Sequence, residues 1–131
     1  MKRPRILLVD DEVAFANNLF KLLSKRGYDA TVVYSGADAV IMVGEKEFDV
    51  IILDMKMPEM DGIATLKEIK KKAPDVEVVI LTGHGSIESG IEGMQLGAFD
   101  YLMKPVSIDD LQEKVIEAYR RKQVQMERSG L

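Results

Sequence analysis

Three short runs of the sequence contain only apolar residues: 6–9 (ILLV), 50–53 (VIIL) and 78–81 (VVIL). Each run is rich in β-branched residues and is bounded by polar or turn-forming residues. Because the runs are short and show no polar alternation, they predict strands that are covered on both faces. Strands of that kind occur in parallel sheets with helices on each side, so these runs restrict the chain to an α/β fold.

Two further segments, 30–34 and 98–102, mix polar with apolar residues and are predicted to be strands nearer the edges of the sheet. Helical patterns separate the strands. The first helical pattern places five apolar residues on one face: Val13, Ala16, Leu19, Phe20 and Leu23. Gly27 follows at the position of a helix C-cap. The order is βα repeated five times, which predicts right-handed crossovers and a doubly wound sheet with strand order 2-1-3-4-5.

Three later helices begin at residues that are typical of N-caps. These residues are Ser35, Asp61 and Ser107. The apolar pattern of the last helix fades after Tyr119 into a basic run at 120–122. We therefore predict a domain over residues 1–122, and a solvated C-terminal extension or the start of a linker over 123–131.

Composition excludes several classes of function. The 131 residues fit one domain, and 22 acidic against 18 basic residues give a net charge of −4, which argues against a broad basic surface for nucleic acid. The chain has no Cys, which excludes disulfides and thiolate sites, and its single histidine, His84, excludes sites built on several imidazoles. No apolar run approaches the roughly 20 residues of a membrane span, so we expect a cytoplasmic protein.

Chemically active side chains follow the predicted strands. The first run is followed by Asp10 and Asp11, the second by Asp54, the third by Thr82, and the fifth strand by Lys104. Because the carboxyl ends of parallel strands meet at one edge of an open sheet, these side chains are predicted to lie on the same rim.

Three carboxylates on one rim repel one another and require a counter-charge. Oxygen ligands without His or Cys favour Mg²⁺, which binds one or two carboxylates directly and keeps several waters. Lys104 offers a charge and Thr82 a hydroxyl donor to a phosphoryl group, while Asp54 is a candidate nucleophile that would form an aspartyl phosphate. The rim therefore predicts phosphoryl transfer.

Four segments of the sequence resemble the receiver domains of bacterial two-component response regulators. They are LLVDDE (7–12), ILDMKMPEMDG (52–62), ILTGHG (80–85) and GAFDYLMKP (97–105), in that order along the chain. The resemblance extends over about residues 4–120. It implies a flavodoxin-like (βα)5 fold with the same strand order and a phosphoprotein that acts in phosphorelay signal transduction.

The resemblance also implies roles for individual residues. Asp54 would be the phosphoacceptor, and Thr82 and Lys104 would contact the phosphoryl oxygens. The implied magnesium ligands are Asp10, Asp11, Asp54 and the backbone carbonyl of Lys56. The Lys104–Pro105 peptide bond is implied to be cis.

The resemblance to receiver domains also implies a conformational switch. Thr82 and Tyr101 are the implied switch residues, and Lys56 and His84 would tune the rate at which water reaches the phosphate. The predicted fourth helix contains two interior glycines, Gly90 and Gly93. Each costs a helix about 0.8–1 kcal/mol relative to Ala, so we expect this helix to be the least stable and to respond to phosphorylation.

The implied partners are a sensor histidine kinase or phosphotransfer protein and a downstream output domain or target protein. The face made by the fourth helix, the fifth strand and the fifth helix would change on phosphorylation and offer a homodimer surface. We expect no direct DNA binding by this chain and no membrane contact. The chain is not expected to be an enzyme beyond its own phosphorylation and dephosphorylation.

Three other classes of protein remain as alternatives. The first is a degenerate receiver that binds other proteins independently of phosphorylation. The second is a phosphatase with an Asp nucleophile, which typically carries a second acid two positions later, where this chain has Lys56. The third is a flavodoxin-like electron carrier, which needs a phosphate loop rich in Ser, Thr and Gly where this chain has Asp-Asp-Glu.

Overall fold

The computed structural model describes residues 3–55, 61–83 and 87–129. The strands within these ranges are β1 (Arg5–Val9), β2 (Asp29–Val33), β3 (Val50–Asp54), β4 (Glu77–Thr82) and β5 (Asp100–Met103). The helices are α1 (Val13–Lys25), α2 (Gly36–Glu45), α3 (Gly62–Lys72), α4 (Ile87–Gln95) and α5 (Ile108–Arg128). The strands form one parallel sheet in the order β2-β1-β3-β4-β5. The predicted α/β fold and strand order are confirmed.

Alternate residues of the central strands face two separate apolar cores. Leu7 and Ile51 belong to the core that α2 and α3 cover, whereas Ile6 and Ile52 belong to the core that α1 and α5 cover. Every residue of β3 and β4 is buried. This two-sided burial explains why the central strands are continuous apolar runs in the sequence.

The predicted caps form as the residue types dictate. The side chains of Ser35, Asp61 and Ser107 each accept a hydrogen bond from the backbone N–H three residues later. Gly27 follows α1 with a φ of +89°, a left-handed conformation that favours glycine over other residues. These local signals fix where the helices begin and where α1 ends.

The structure departs from the sequence prediction in three places, the smallest of which is β2, which spans Asp29–Val33 and not residues 30–34. The fifth strand begins at Asp100 and not at Ala98, because the Ala98 N–H donates to Gly93 O and completes the end of α4. Helix α5 continues to Arg128, whereas the apolar pattern fades after Tyr119. The continuation is anchored by two basic residues of α5, Arg121 and Lys122, which pair with carboxylates at the amino ends of β3 and β4. Among the described residues, no helix combines the length and the hydropathy that crossing a bilayer requires.

Candidate functional site

The carboxyl ends of four strands bring polar side chains together on one rim. Asp10 follows β1, Asp54 ends β3, Thr82 ends β4 and Lys104 follows β5. Asp10, Asp54 and Thr82 are each no more than 3% exposed. The parallel register places these residues side by side, so the order of strand ends in the sequence becomes a cluster in space.

Lys104 is the cation at the centre of this cluster. Its Nζ donates to Asp10 Oδ2 at 2.8 Å and to Glu12 Oε1 at 3.0 Å, and it lies 3.9 Å from Asp54 Oδ1. The same ammonium lies 4.4 Å from the centre of the Phe15 ring. Burial lowers the pKa of Lys104, but the hydrogen bonds to Asp10 and Glu12 outweigh burial, so that its pKa is raised. Lys104 therefore stays protonated at neutral pH.

Three acidic side chains of the rim are close enough to share one cation. Asp10, Glu12 and Asp54 each offer a carboxylate oxygen, and these oxygens lie within 4.8 Å of one another. Asp10 is fully buried, and its Oδ1 accepts the backbone N–H of Glu12 at 2.9 Å. A set of carboxylate oxygens suits a hard divalent ion such as Mg²⁺. The residues present therefore fit the predicted metal, with Glu12 in the cluster and Asp11 outside it.

Thr82 presents a buried hydroxyl on the rim. Its backbone carbonyl accepts the Lys104 N–H at 2.7 Å, which ties the end of β4 to the residue after β5. Among the residues described, the Thr82 Oγ1 has no hydrogen-bond partner. A buried hydroxyl without a partner is rare and points to a group that binds there.

Tyr101 connects the edge of the sheet to α4. It lies opposite Ile80 in the β4–β5 register and is half-buried. A methyl group placed on Gly90 of α4 would lie only 3.2 Å from the Tyr101 ring. The ring therefore packs against a helix position where a side chain would crowd it.

The remaining predicted residues have different outcomes. Asp11 is partly exposed, and Lys56 and His84 lie outside the described residues. The Lys104–Pro105 peptide bond is cis. Sequence reasoning missed Glu12 and Phe15, both of which contact Lys104. The only available signal was their position, directly after the Asp-Asp pair and in the first turn of α1.

Comparisons with known proteins agree with this geometry. The family model described as "Response regulator receiver domain" matches residues 6–116. The transcriptional regulatory protein ZraR of Salmonella typhimurium is 47% identical over 113 residues, which cover 86% of this chain and 26% of that protein. A response regulator receiver domain protein from Clostridium thermocellum is 39% identical with a TM-score of 0.88, and the match covers 92% of this chain and 98% of that chain.

The curated relatives are much longer than this chain. The DNA-binding transcriptional regulator NtrC of Escherichia coli is 36% identical over 126 residues, which cover 94% of this chain and 27% of that protein. The chain therefore spans about a quarter of the length of these relatives.

These relatives correct the predicted set of partners. That set contained a kinase or phosphotransfer protein, an output domain or target, and a homodimer, and it left DNA out. The relatives are transcriptional regulators, and one of them is named as DNA-binding, so the set was wrong to leave DNA out. The acidic balance of these 131 residues carries no information about the parts of the relatives that lie beyond the match.

Proposed function

This chain belongs to the response regulator receiver domain family of bacterial two-component systems, and from that premise we propose that it is a phosphoacceptor switch. Asp54 receives a phosphoryl group from the phosphohistidine of a sensor kinase. One observation supports this proposal best: Asp10, Asp54 and Lys104 lie together on the rim. Beside them is the Thr82 hydroxyl, which has no hydrogen-bond partner among the residues described.

Each step of the proposed chemistry forms one bond to phosphorus and breaks another, and water is the only other reactant. A carboxylate oxygen of Asp54 bonds to phosphorus, the P–N bond to the donor imidazole breaks, and the nitrogen keeps the electron pair. Water later attacks phosphorus, releases inorganic phosphate and restores the Asp54 carboxylate. No external substrate is turned over, so the chemistry of this chain is limited to its own phosphorylation and dephosphorylation.

Residues of the rim hold the phosphoryl group by charge and hydrogen bonding. The Lys104 ammonium lies 3.9 Å from Asp54 and stays protonated, so it is placed to neutralise a phosphoryl oxygen. The Thr82 hydroxyl donates a hydrogen bond to another phosphoryl oxygen.

The metal is part of the proposal. Asp10 and Asp54 would hold Mg²⁺ together with Asp11 or Glu12 and the backbone carbonyl of Lys56. When bound, Mg²⁺ supplies the positive charge that lets carboxylates and phosphoryl oxygens approach one another.

The proposed conformational response to phosphorylation involves Thr82 at the end of β4 and Tyr101 on β5. Movement of Thr82 toward the phosphoryl group shifts the end of β4, and the Tyr101 ring repacks against Gly90 of α4. The face made by α4, β5 and α5 changes as a result. Hydrogen exchange with and without beryllium fluoride, a phosphoryl mimic, checks this step, and unchanged protection across residues 87–103 would contradict it.

Intact mass after incubation with acetyl phosphate and Mg²⁺ tests the phosphoacceptor directly. We expect the wild-type chain to gain the mass of one phosphoryl group and Asp54→Asn to gain none. Asp29→Asn, which changes an exposed aspartate on the edge strand, is the matched control and should label like the wild type. Equal labelling of all three proteins would overturn the assignment, and no labelling of the folded wild type would favour a receiver that acts without phosphorylation.

Lys56 and His84 remain proposed as residues that set the lifetime of the phosphorylated form. The double variant Lys56→Ala/His84→Ala should be labelled by acetyl phosphate but should lose its phosphoryl group at a different rate. A dephosphorylation rate equal to that of the wild type would contradict this role.

A further inference from the structure

A groove lies between the start of the chain, the turn after α1 and one face of α5. We call it the α5 groove and define it by Arg3, Tyr28, Ile116, Tyr119 and Arg120, which line a volume of about 420 Å³. Tyr28 immediately precedes β2, so the groove lies toward the amino ends of the strands, whereas Asp54 lies at the carboxyl end of β3. The groove is therefore separate from the phosphoacceptor rim.

The floor of the groove is apolar and aromatic. Ile116, Tyr119 and Gln123 are spaced three and four residues apart on α5, so they share one face of the helix. Ile116 and Tyr119 are only partly buried. The lining residues of α5 run from Gln112 to Gln123, a length of about 16 Å at 1.5 Å per residue. That length suits a segment of polypeptide.

The two charged side chains that line the groove are both positive. The Arg3 guanidinium lies 4.9 Å from the centre of the Tyr28 ring, and Arg120 lies on the α5 side. Among the described residues, no Asp or Glu lines the groove, although the whole chain carries a net charge of −4. Within the described part of the chain, neither Arg3 nor Arg120 has a carboxylate within ion-pair distance. Planar guanidinium groups that lack a carboxylate partner are suited to bind carboxylates in pairs of hydrogen bonds.

A second observation comes from Tyr28. This side chain is 5% exposed, and its hydroxyl is one of two buried side-chain groups that have no hydrogen-bond partner among the described residues. The other is the Thr82 hydroxyl on the phosphoacceptor rim. Buried hydroxyls are nearly always hydrogen-bonded, so the two exceptions are candidate positions for binding groups from outside the chain.

We propose that the α5 groove is a docking site for an acidic peptide segment of a partner protein, in which a large apolar side chain lies between carboxylates. The apolar residue packs on Ile116 and Tyr119, and the carboxylates pair with Arg3 and Arg120. Two cations are too few for stable attraction to an anionic membrane, where basic clusters carry about four to eight. The proposal is independent of phosphorylation of Asp54, so either can fail without the other.

Fluorescence anisotropy with a labelled probe tests the docking site. The probe is the peptide Gly-Glu-Glu-Phe-Glu-Glu-Gly, with two control peptides in which Gln replaces every Glu or Ser replaces Phe. We expect the wild-type chain to bind the probe saturably and to bind both controls more weakly. The affinity for the probe should fall when sodium chloride is raised, because exposed charge pairs are screened.

Variants of the chain locate the binding. Arg120→Glu should weaken probe binding by about tenfold or more, because it places a carboxylate opposite carboxylates. Arg128→Glu reverses the same charge on an exposed residue outside the groove and should change binding less than about twofold. Tyr28→Phe should weaken binding while leaving the fold intact. Circular dichroism and urea denaturation confirm that each variant is folded.

Three outcomes would overturn the proposal. The first is that the wild type does not bind the probe. The second is that Arg120→Glu and Arg128→Glu weaken binding equally, since the attraction would then come from overall charge. The third is that the wild type binds vesicles of phosphatidylglycerol, that Arg120→Glu does not bind them, and that the peptide probe binds neither protein. That result would identify the groove as a lipid contact.

Discussion

The two ends of the parallel sheet hold carboxylates in opposite electrostatic settings. At the amino ends, Asp49 and Glu77 are 7% and 2% exposed, and each lies beside two cations. The partners are Arg5 and Lys122 for Asp49, and Arg121 and Lys70 for Glu77. At the carboxyl ends, Asp10, Glu12 and Asp54 gather around Lys104, which is the one cation paired with them among the described residues.

The number of cations beside each acid distinguishes carboxylates that stabilise the fold from carboxylates that are placed to bind a ligand. At the amino ends, each acid joins α5 or a neighbouring strand to the sheet. Among the described residues at the carboxyl ends, negative charge exceeds positive charge, and such an excess costs stability unless a bound cation offsets it. Charge balance therefore predicts opposite responses to the same chemical change at the two ends.

The largest response is expected from Glu77→Gln at the amino end. Removing this charge leaves Arg121 and Lys70 beside an uncharged side chain and breaks a buried ion pair. Loss of one partner of a buried pair costs about 3–5 kcal/mol, and because Arg121 is partly exposed we expect a loss of about 2–3 kcal/mol in the free energy of unfolding. Urea denaturation measures it.

Glu113→Gln is the matched control for that variant. Glu113 is exposed on α5, and its substitution should change the free energy of unfolding by less than about 0.5 kcal/mol. If both variants lost the same small amount, the amino-end ion pairs would not be what anchors α5.

This anchoring is also the part of the fold that the sequence could not predict. The strands were predictable because β-branched apolar runs are local, and the helix starts because Ser35, Asp61 and Ser107 cap within three residues. The extent of α5 depends instead on Arg121 and Lys122, whose partners are 44 and 73 residues away. No local pattern records such a pair.

The rim shows the same division between local and long-range information. Its location followed from the strand ends, since parallel register is enough to bring Asp10, Asp54 and Lys104 together. The contacts of Glu12 and Phe15 with Lys104 did not follow, because they depend on how the β5–α5 connection folds over the start of α1. Side-chain geometry of that kind has no signal in the local sequence.

A smaller, pH-dependent response is expected from Asp49→Asn. Burial raises the pKa of Asp49, but the Arg5 N–H, the Lys122 ammonium and the Arg5 guanidinium together outweigh burial and lower its pKa below the ordinary value. The Asp49 carboxyl therefore binds a proton less tightly in the folded state than in the unfolded state. The stabilisation is fully present above the unfolded pKa of about 3.9 and is lost as the pH falls through the lower folded pKa.

Urea denaturation at several pH values measures this effect. From pH 5 to 7 we expect the free energy of unfolding of the wild type to exceed that of Asp49→Asn by about 1–2 kcal/mol. The difference between the two proteins should shrink below pH 4. Asp29→Asn, which changes an exposed aspartate, should show no such trend. A difference that grew as the pH fell would contradict the role given to Asp49.

The smallest response is expected from Asp54→Asn, and its sign is opposite. Asp54 is 3% exposed and shares Lys104 with Asp10 and Glu12, so removing its charge relieves both desolvation and repulsion. We expect the free energy of unfolding in the absence of Mg²⁺ to rise by about 1 kcal/mol, as happens where a functional residue is kept at the expense of stability. Millimolar Mg²⁺ should stabilise the wild type and have little effect on the variant, because binding to the folded state alone raises its stability. A variant less stable than the wild type without Mg²⁺ would mean that the carboxyl-end acids hold the fold together as the amino-end acids do, and the contrast between the two ends would be lost.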